Sequence, residues 1–193
     1  TLTNVQSDAN GSYRVIASNA SGSVTSNGAT LAVRLPANLG EFNNGLVAYY
    51  PFDGDADDES GNGNHGTVNG ATLTTDRGGS ANSAYNFVSG SSQYIKVTGA
   101  GIPVGNAERT LGLWAKTSGS ASSPGHSATE WGRSTNSQRF GAFIRLNGKL
   151  AFVSEGNDLD TTASVDDGAY HHILITYGGG LVKIYLDGVL KTS

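Results

Sequence analysis

Cysteine and methionine are both absent from this chain of 193 residues. That excludes a disulfide framework, a thiol nucleophile, a thiolate zinc site and a cysteine-held iron–sulfur cluster. Charge is scarce: Asp, Glu, Lys and Arg make up 15% of residues, against about 25% in an ordinary globular domain. The net charge is −4 and the pI near 5.4, so the basic footprint of a nucleic-acid binder is missing. No segment approaches the ~18 apolar residues of a membrane-spanning helix. No basic stretch leads into an apolar core, so no secretion signal is visible. Amphipathic helices are missing as well: no window sustains a 3.6-residue apolar period over three turns.

Glycine, at 28 residues, and Ser, Thr and Asn fill the space that charge vacates, a composition suited to turns and sheets. Segments such as Tyr13–Ala17, Tyr94–Val97 and Val182–Leu186 are short, rich in Val, Ile and Tyr, and closed by Gly, Asn, Asp or Ser, which predicts strands. Two hairpins are expected. Phe143–Leu146 meets Lys149–Phe152 across Asn147-Gly148, and Val182–Leu186 meets Val189–Lys191 across Asp187-Gly188, both through the positive φ angles of a type I′ turn. The second return strand stops at Ser193, and we expect the sequence to be cut from a longer protein. A linker is expected at 34–44, around Pro36, and a polar loop at 117–128.

From Gly45 onward a series of landmarks runs in order. Gly45-Leu-Val-Ala-Tyr-Tyr50-Pro-Phe52 is followed by Asp58-Glu-Ser60-Gly-Asn62-Gly-Asn64-His-Gly66. Then come Ser83-Ala-Tyr-Asn-Phe87, Tyr94-Ile-Lys-Val97, Thr110-Leu-Gly-Leu-Trp114-Ala-Lys116, Tyr170-His-His-Ile173 and Val182-Lys-Ile-Tyr185-Leu-Asp-Gly188. Together they resemble the laminin-G-like, concanavalin A-type jelly-roll domains of bacterial surface and secreted proteins. The resemblance implies an all-β, antiparallel β-sandwich over 45–193, C-terminally incomplete; Tyr170 stands where the family usually has Trp. Residues 1–33 resemble the last three strands of an immunoglobulin-like β-sandwich. The carrying residues are Asp8-Ala-Asn-Gly11-Ser-Tyr13, an Asn19-Ala-Ser-Gly22 turn and the strand Ala29–Val33. Tyr13 would be its corner tyrosine, and Val15 would occupy the core position that a cysteine fills in antibody domains. The domain plan is therefore 1–33, a linker at 34–44, and 45–193.

Five carboxylates crowd into Asp53–Glu59, and hard oxygens suit Ca²⁺. Asp53, Asp55 and Asp57 imitate an EF-hand start, but Asp58 and Asn64 stand where that loop needs Gly and Glu. The family resemblance implies a different Ca²⁺ site, with Asp58, Asn62 and Asn64 as metal ligands; a solvated acidic turn is the competing reading. His171 and His172 are neighbours on a strand and point to opposite faces, so a packed histidine beside an exposed one is expected rather than a zinc site. No Glu-x-Asp-x-x-Glu strand offers the carboxylate pair of a glycosidase. Asp158 and Asp160 can share a face, but without a nearby Glu acid. Glu130 and Glu155 could meet only through the fold, and each lies in a Gly-containing turn-rich segment. Trp131, at the end of the polar loop, is the candidate ligand-binding residue; Trp114, inside a strand pattern, is expected to be packed.

These readings point to a non-catalytic module, binding an extracellular glycan or a surface protein, in a large secreted or cell-surface bacterial protein. It would bind no nucleic acid and insert in no membrane. The alternatives are a purely structural spacer and an accessory domain of a polysaccharide-degrading enzyme.

Overall fold

The computed structural model describes residues 11–31, 44–99, 101–118, 125–132 and 138–193. Every regular element among them is a strand. Pairing is antiparallel throughout both four-stranded sheets and in the short pairs β1–β4, β2–β3 and β6–β7, whose ranges follow below. The chain divides into two compact units, Thr1–Val68 with Ile95–Gly99, and Asn69–Tyr94 with Ala100–Ser193. The linker expected at 34–44 lies, apart from Asn44, outside the described residues.

In the first unit, β1 (Gly11–Tyr13) pairs with β4 (Ala29–Leu31), and β2 (Ile16–Asn19) forms a hairpin with β3 (Gly22–Thr25). All side chains from Ser12 to Thr30 are exposed. Val15, expected in an apolar core, is 71% exposed: a core position needs a facing sheet, and none covers these strands among the described residues. The segment 44–65 is irregular, and it is followed by β5 (Gly66–Asn69), which pairs with β8 (Tyr94–Val97).

The second unit carries the main core. β6 (Thr72–Thr74) pairs with β7 (Ala84–Asn86). One four-stranded sheet is built from β10 (His126–Gly132), β11 (Arg139–Ile144), β12 (Lys149–Val153) and β13 (Leu159–Ser164), side by side in that order. The polar loop expected to reach residue 128 therefore ends earlier, because His126 already pairs with Ile144. The other sheet has the order β16 (Val189–Thr192), β15 (Leu181–Leu186), β14 (Asp167–Gly178), β9 (Arg109–Ser118). Alternate residues point to opposite faces of a strand, and the inward sets are apolar. Phe140, Ala142, Ile144, Leu150 and Phe152 from the first sheet meet Ile173, Ile175, Ile184 and Leu186 from the second in one buried cluster. Leu111, Leu113 and Ala115 of β9 pack against it. This is the two-layer packing of a β-sandwich.

The hairpin β15–β16 turns as expected: Asp187 and Gly188 have φ of 51° and 78°, and Leu186 faces Val189, a type I′ arrangement. The hairpin β11–β12 does not. Among its central residues only Gly148 has positive φ, 71°. The Gly148 N–H donates to the Arg145 carbonyl and the Arg145 N–H to the Lys149 carbonyl, both at 2.9 Å. This is a three-residue loop, a type I turn closed by a left-handed glycine. The register moves by one residue, so that Ile144 faces Leu150 and Ala142 faces Phe152. A one-residue slip would turn a strand's apolar set to the wrong face, so the facing sheet selects the longer loop.

One clamp ties the far end of this second sheet. His171 sits with Nδ1 2.8 Å from Asp187 and Nε2 3.1 Å from Asp167. Bonding to Asp187, opposed by burial and reinforced by Asp167, raises the His171 pKa above its usual 6.5. A group whose pKa is raised by folding stabilises fully below its unfolded value and loses that contribution as pH rises through the folded value. Asp187, bonded first to His171, and Asp167, bonded first to the Ala169 N–H, are both held below 3.8. Their contribution is present above that value and is lost as pH falls through their lowered pKa values. Thermal stability from this clamp is therefore greatest at mildly acidic pH and declines above pH 6.5. Melting curves between about pH 5.5 and 9 should show an alkaline fall in the native protein that is reduced in His171→Gln. Identical falls in the two proteins would remove the clamp's role.

Candidate functional site

The turn singled out as a metal site is built around a buried carboxylate. Asp58 is 5% and Asn64 2% exposed, whereas Asn62 is exposed. Asp58 Oδ1 accepts the N–H groups of Tyr49 and Ser60, each at 2.9 Å, and Oδ2 accepts the Asn64 N–H at 2.9 Å. Burial by itself would raise the Asp58 pKa; the N–H donors from Tyr49, Ser60 and Asn64 outweigh it and hold the carboxyl below 3.8. Both asparagine side chains donate to main-chain carbonyls. Asn62 Nδ2 reaches the Leu46 and Val47 oxygens at 2.8 and 3.2 Å, and Asn64 Nδ2 reaches Val47 O at 2.9 Å. Tyr50 donates its hydroxyl to the Asn64 carbonyl, and its own pKa is pushed up to about 12 by burial and by the Asp58 charge. Gly99 completes the cage: a side chain there would come within 1.8 Å of Asn64 Oδ1.

Calcium wants converging oxygen lone pairs. Here the Asp58 charge is met by N–H donors, and the neighbouring carbonyls are taken by amide N–H groups. Asp58, Asn62 and Asn64 come together, but the donor set they present does not fit a calcium ion centred on them. Among the described residues no group of three or more His, Asp or Glu is placed to hold a metal.

Trp131 stands at one end of the sandwich, where the two sheets part. Its ring lies 4.7 Å from the Phe140 ring, and its indole N–H donates to the Pro103 carbonyl at 2.9 Å. It caps the core edge and at the same time walls a cavity of about 550 Å³. Arg109, Tyr177, Ser154 and Asn157 line the same cavity. The Arg109 guanidinium spans the Phe140 and Tyr177 rings, 5.0 Å from each centroid, and donates to the Pro103 and Gly105 carbonyls. Burial lowers its pKa below that of a free guanidinium. Two buried polar atoms of the lining have no partner among the described residues: Arg109 Nε and the hydroxyl of Ser154, a residue only 6% exposed. Buried polar groups are almost always bonded, so these two atoms are exceptions, and both belong to residues of the cavity lining.

Beside this cavity the fold does what sequence spacing could not foretell. Glu130 and Glu155 are brought together, and both bind Arg139, which lies between them. Asp158 and Asp160 likewise share Arg145, at 2.9 and 2.8 Å. Each pair closes on a guanidinium instead of flanking an open gap, the arrangement a glycosidase needs.

Trp114 departs from the sequence expectation. Expected to be packed, it is 50% exposed, because Leu111, Leu113 and Ala115 take the inward face of β9 and leave Trp114 outward.

A family model described as the concanavalin A-like lectin/glucanases superfamily matches residues 89–193, more than half of the chain. No curated protein matches the chain, and no solved structure does.

Proposed function

The chain belongs to the concanavalin A-like lectin/glucanases superfamily, and from that premise we propose that it is a non-catalytic glycan-binding module of a secreted or cell-surface protein. The observation that carries the reading is the cavity walled by Trp131, with its unpartnered Ser154 hydroxyl and Arg109 Nε. Ligand cavities join apolar and aromatic walls to a few converging polar groups, and a sugar offers both an apolar ring face and hydroxyls. Support for binding over hydrolysis comes from the guanidinium-bridged carboxylates: Glu130 and Glu155 close on Arg139, and Asp158 and Asp160 on Arg145.

Ser154→Ala tests the site without disturbing the fold. Removing a hydroxyl that has no protein partner is nearly neutral for stability, whereas the loss of one ligand hydrogen bond weakens binding by about three- to tenfold. A glycan array on the native protein identifies the ligand, and calorimetry compares the variant. Failure of the native protein to bind any glycan would overturn the reading in favour of a spacer. Unchanged affinity in Ser154→Ala would move the site elsewhere.

A further inference from the structure

The Trp131 cavity is ringed by strand ends. Seven of the eight strands in the two four-stranded sheets contribute to its lining. From one sheet come Trp131 near the end of β10, Phe152 near the end of β12 and Leu159 at the start of β13. From the other come Arg109 at the start of β9, Tyr177 near the end of β14 and Leu181 at the start of β15. Antiparallel neighbours alternate in direction, so these starts and ends all lie at one end of the sandwich. The floor is the core itself. Phe152 and Phe140 of β11, with ring centroids 5.0 Å apart, line the cavity and belong to the buried cluster. One edge is tied across the sheets by the Pro103 carbonyl, which accepts from both the Trp131 indole and the Arg109 guanidinium. At the other edge β13 lies against β16.

We infer that this cavity takes the terminal sugar of a glycan end-on, so that the protein recognises chain ends or branch tips and not chain interiors; the inference rests on the proposed reading of the cavity as a glycan site. A polysaccharide bound along its length needs a groove open at both ends. Here, among the described residues, two sheets, two closed edges and an aromatic floor leave one mouth, opening along the strand direction. Only a chain end passes such a mouth, because a unit in mid-chain would have to carry its neighbour through the core. The volume of about 550 Å³ lies within the about 300–1,000 Å³ of small-ligand sites and suits roughly one or two sugar rings. Trp131 and Tyr177, on opposite sheets, supply aromatic walls for the faces of an entering ring. The charged groups of the lining are already engaged: Arg139 with Glu130 and Glu155, Asp158 with Arg145, and Arg109 with two main-chain carbonyls. Charge therefore does not select the occupant, and recognition falls to ring stacking and hydroxyl groups.

Calorimetry reads the mode of binding. The probes are linear gluco-, xylo-, manno- and galacto-oligosaccharides, from the monosaccharide to the hexasaccharide, and the matching polysaccharides. For the sugar that binds, affinity is expected to level off at about the disaccharide, and a linear polysaccharide is expected to take up one protein per chain whatever its length. Ser154→Ala is expected to weaken the disaccharide and the hexasaccharide by the same factor, about three- to tenfold. Affinity that keeps rising to the hexasaccharide, or several proteins loaded on each chain in proportion to its length, would overturn the inference and leave the glycan-binding reading intact. Binding indifferent to Ser154→Ala would put the glycan outside the cavity and overturn it as well. Failure of every probe to bind would remove the proposed function, and this inference with it.

Discussion

Asp58→Ala is expected to cost about 3 kcal/mol of stability or more, because three main-chain N–H groups lose their acceptor at once and each unmet donor costs about 1–3 kcal/mol. The carboxylate is 5% exposed, so water does not easily replace it. It also joins distant parts of the first unit: Tyr49, Ser60 and Asn64 are all bonded to it. Asp58→Asn keeps one oxygen but turns an N–H donor toward a main-chain donor, so it is expected to be destabilised as well, by less than Asp58→Ala. The same geometry fixes the pH sign. The Asp58 pKa is lowered below 3.8, so its contribution is present above that value and is lost as pH falls through the lowered pKa. Chemical denaturation of the native protein and both variants measures the costs. Melting in calcium and in chelator settles the metal: the cage is complete without an ion, so identical curves are expected. A rise in melting temperature with calcium that disappears in Asp58→Asn would show an ion in place of the cage.

The contrast between those residues and their surroundings explains how far the sequence can be read. Asp58-Glu-Ser60-Gly-Asn62-Gly-Asn64 is visible as a special turn, because carboxylate, amide and glycine at that spacing have no role inside a strand. What the carboxylate does is not visible. Its partner Tyr49 lies nine residues away and is joined only through its main chain, which no side-chain pattern records. The two hairpins make the same point. Asp187-Gly188 turns as its dipeptide predicts, whereas Asn147-Gly148 does not, since there the burial of Ile144 and Leu150 and the bond from the Val165 N–H to the Gly148 carbonyl fix the register. Trp114 is a different case. The signal is present: apolar residues at 111, 113 and 115 claim one face of a strand and leave residue 114 on the other. The size of the indole argues for burial, and the periodicity outweighs it. The meeting of Glu130 and Glu155 on Arg139 belongs to the pairing of separate strands and the loop after β12, and local sequence carries no trace of it.

Adjacent residues on β14 and β9 supply the sharpest test of which face is which. Ile173 is fully buried, facing Leu186 on one side and Leu113 on the other. Truncating it removes most of a buried side chain and leaves a cavity between two sheets whose backbones are held by ladders on both sides, so the hole collapses poorly. Ile173→Ala is therefore expected to cost about 2–5 kcal/mol. In a chain of this length that lowers the melting temperature by roughly 5–15 °C. Trp114 pairs with the next residue along, His172, but lies on the outer face, half exposed. Its loss removes one exposed cation–π contact with Arg77 and some partly wet surface, so Trp114→Ala is expected to stay within about 1 kcal/mol of the native protein. Differential scanning calorimetry of the two variants decides the matter. A large loss in Trp114→Ala with a small one in Ile173→Ala would reverse the faces of the sheet.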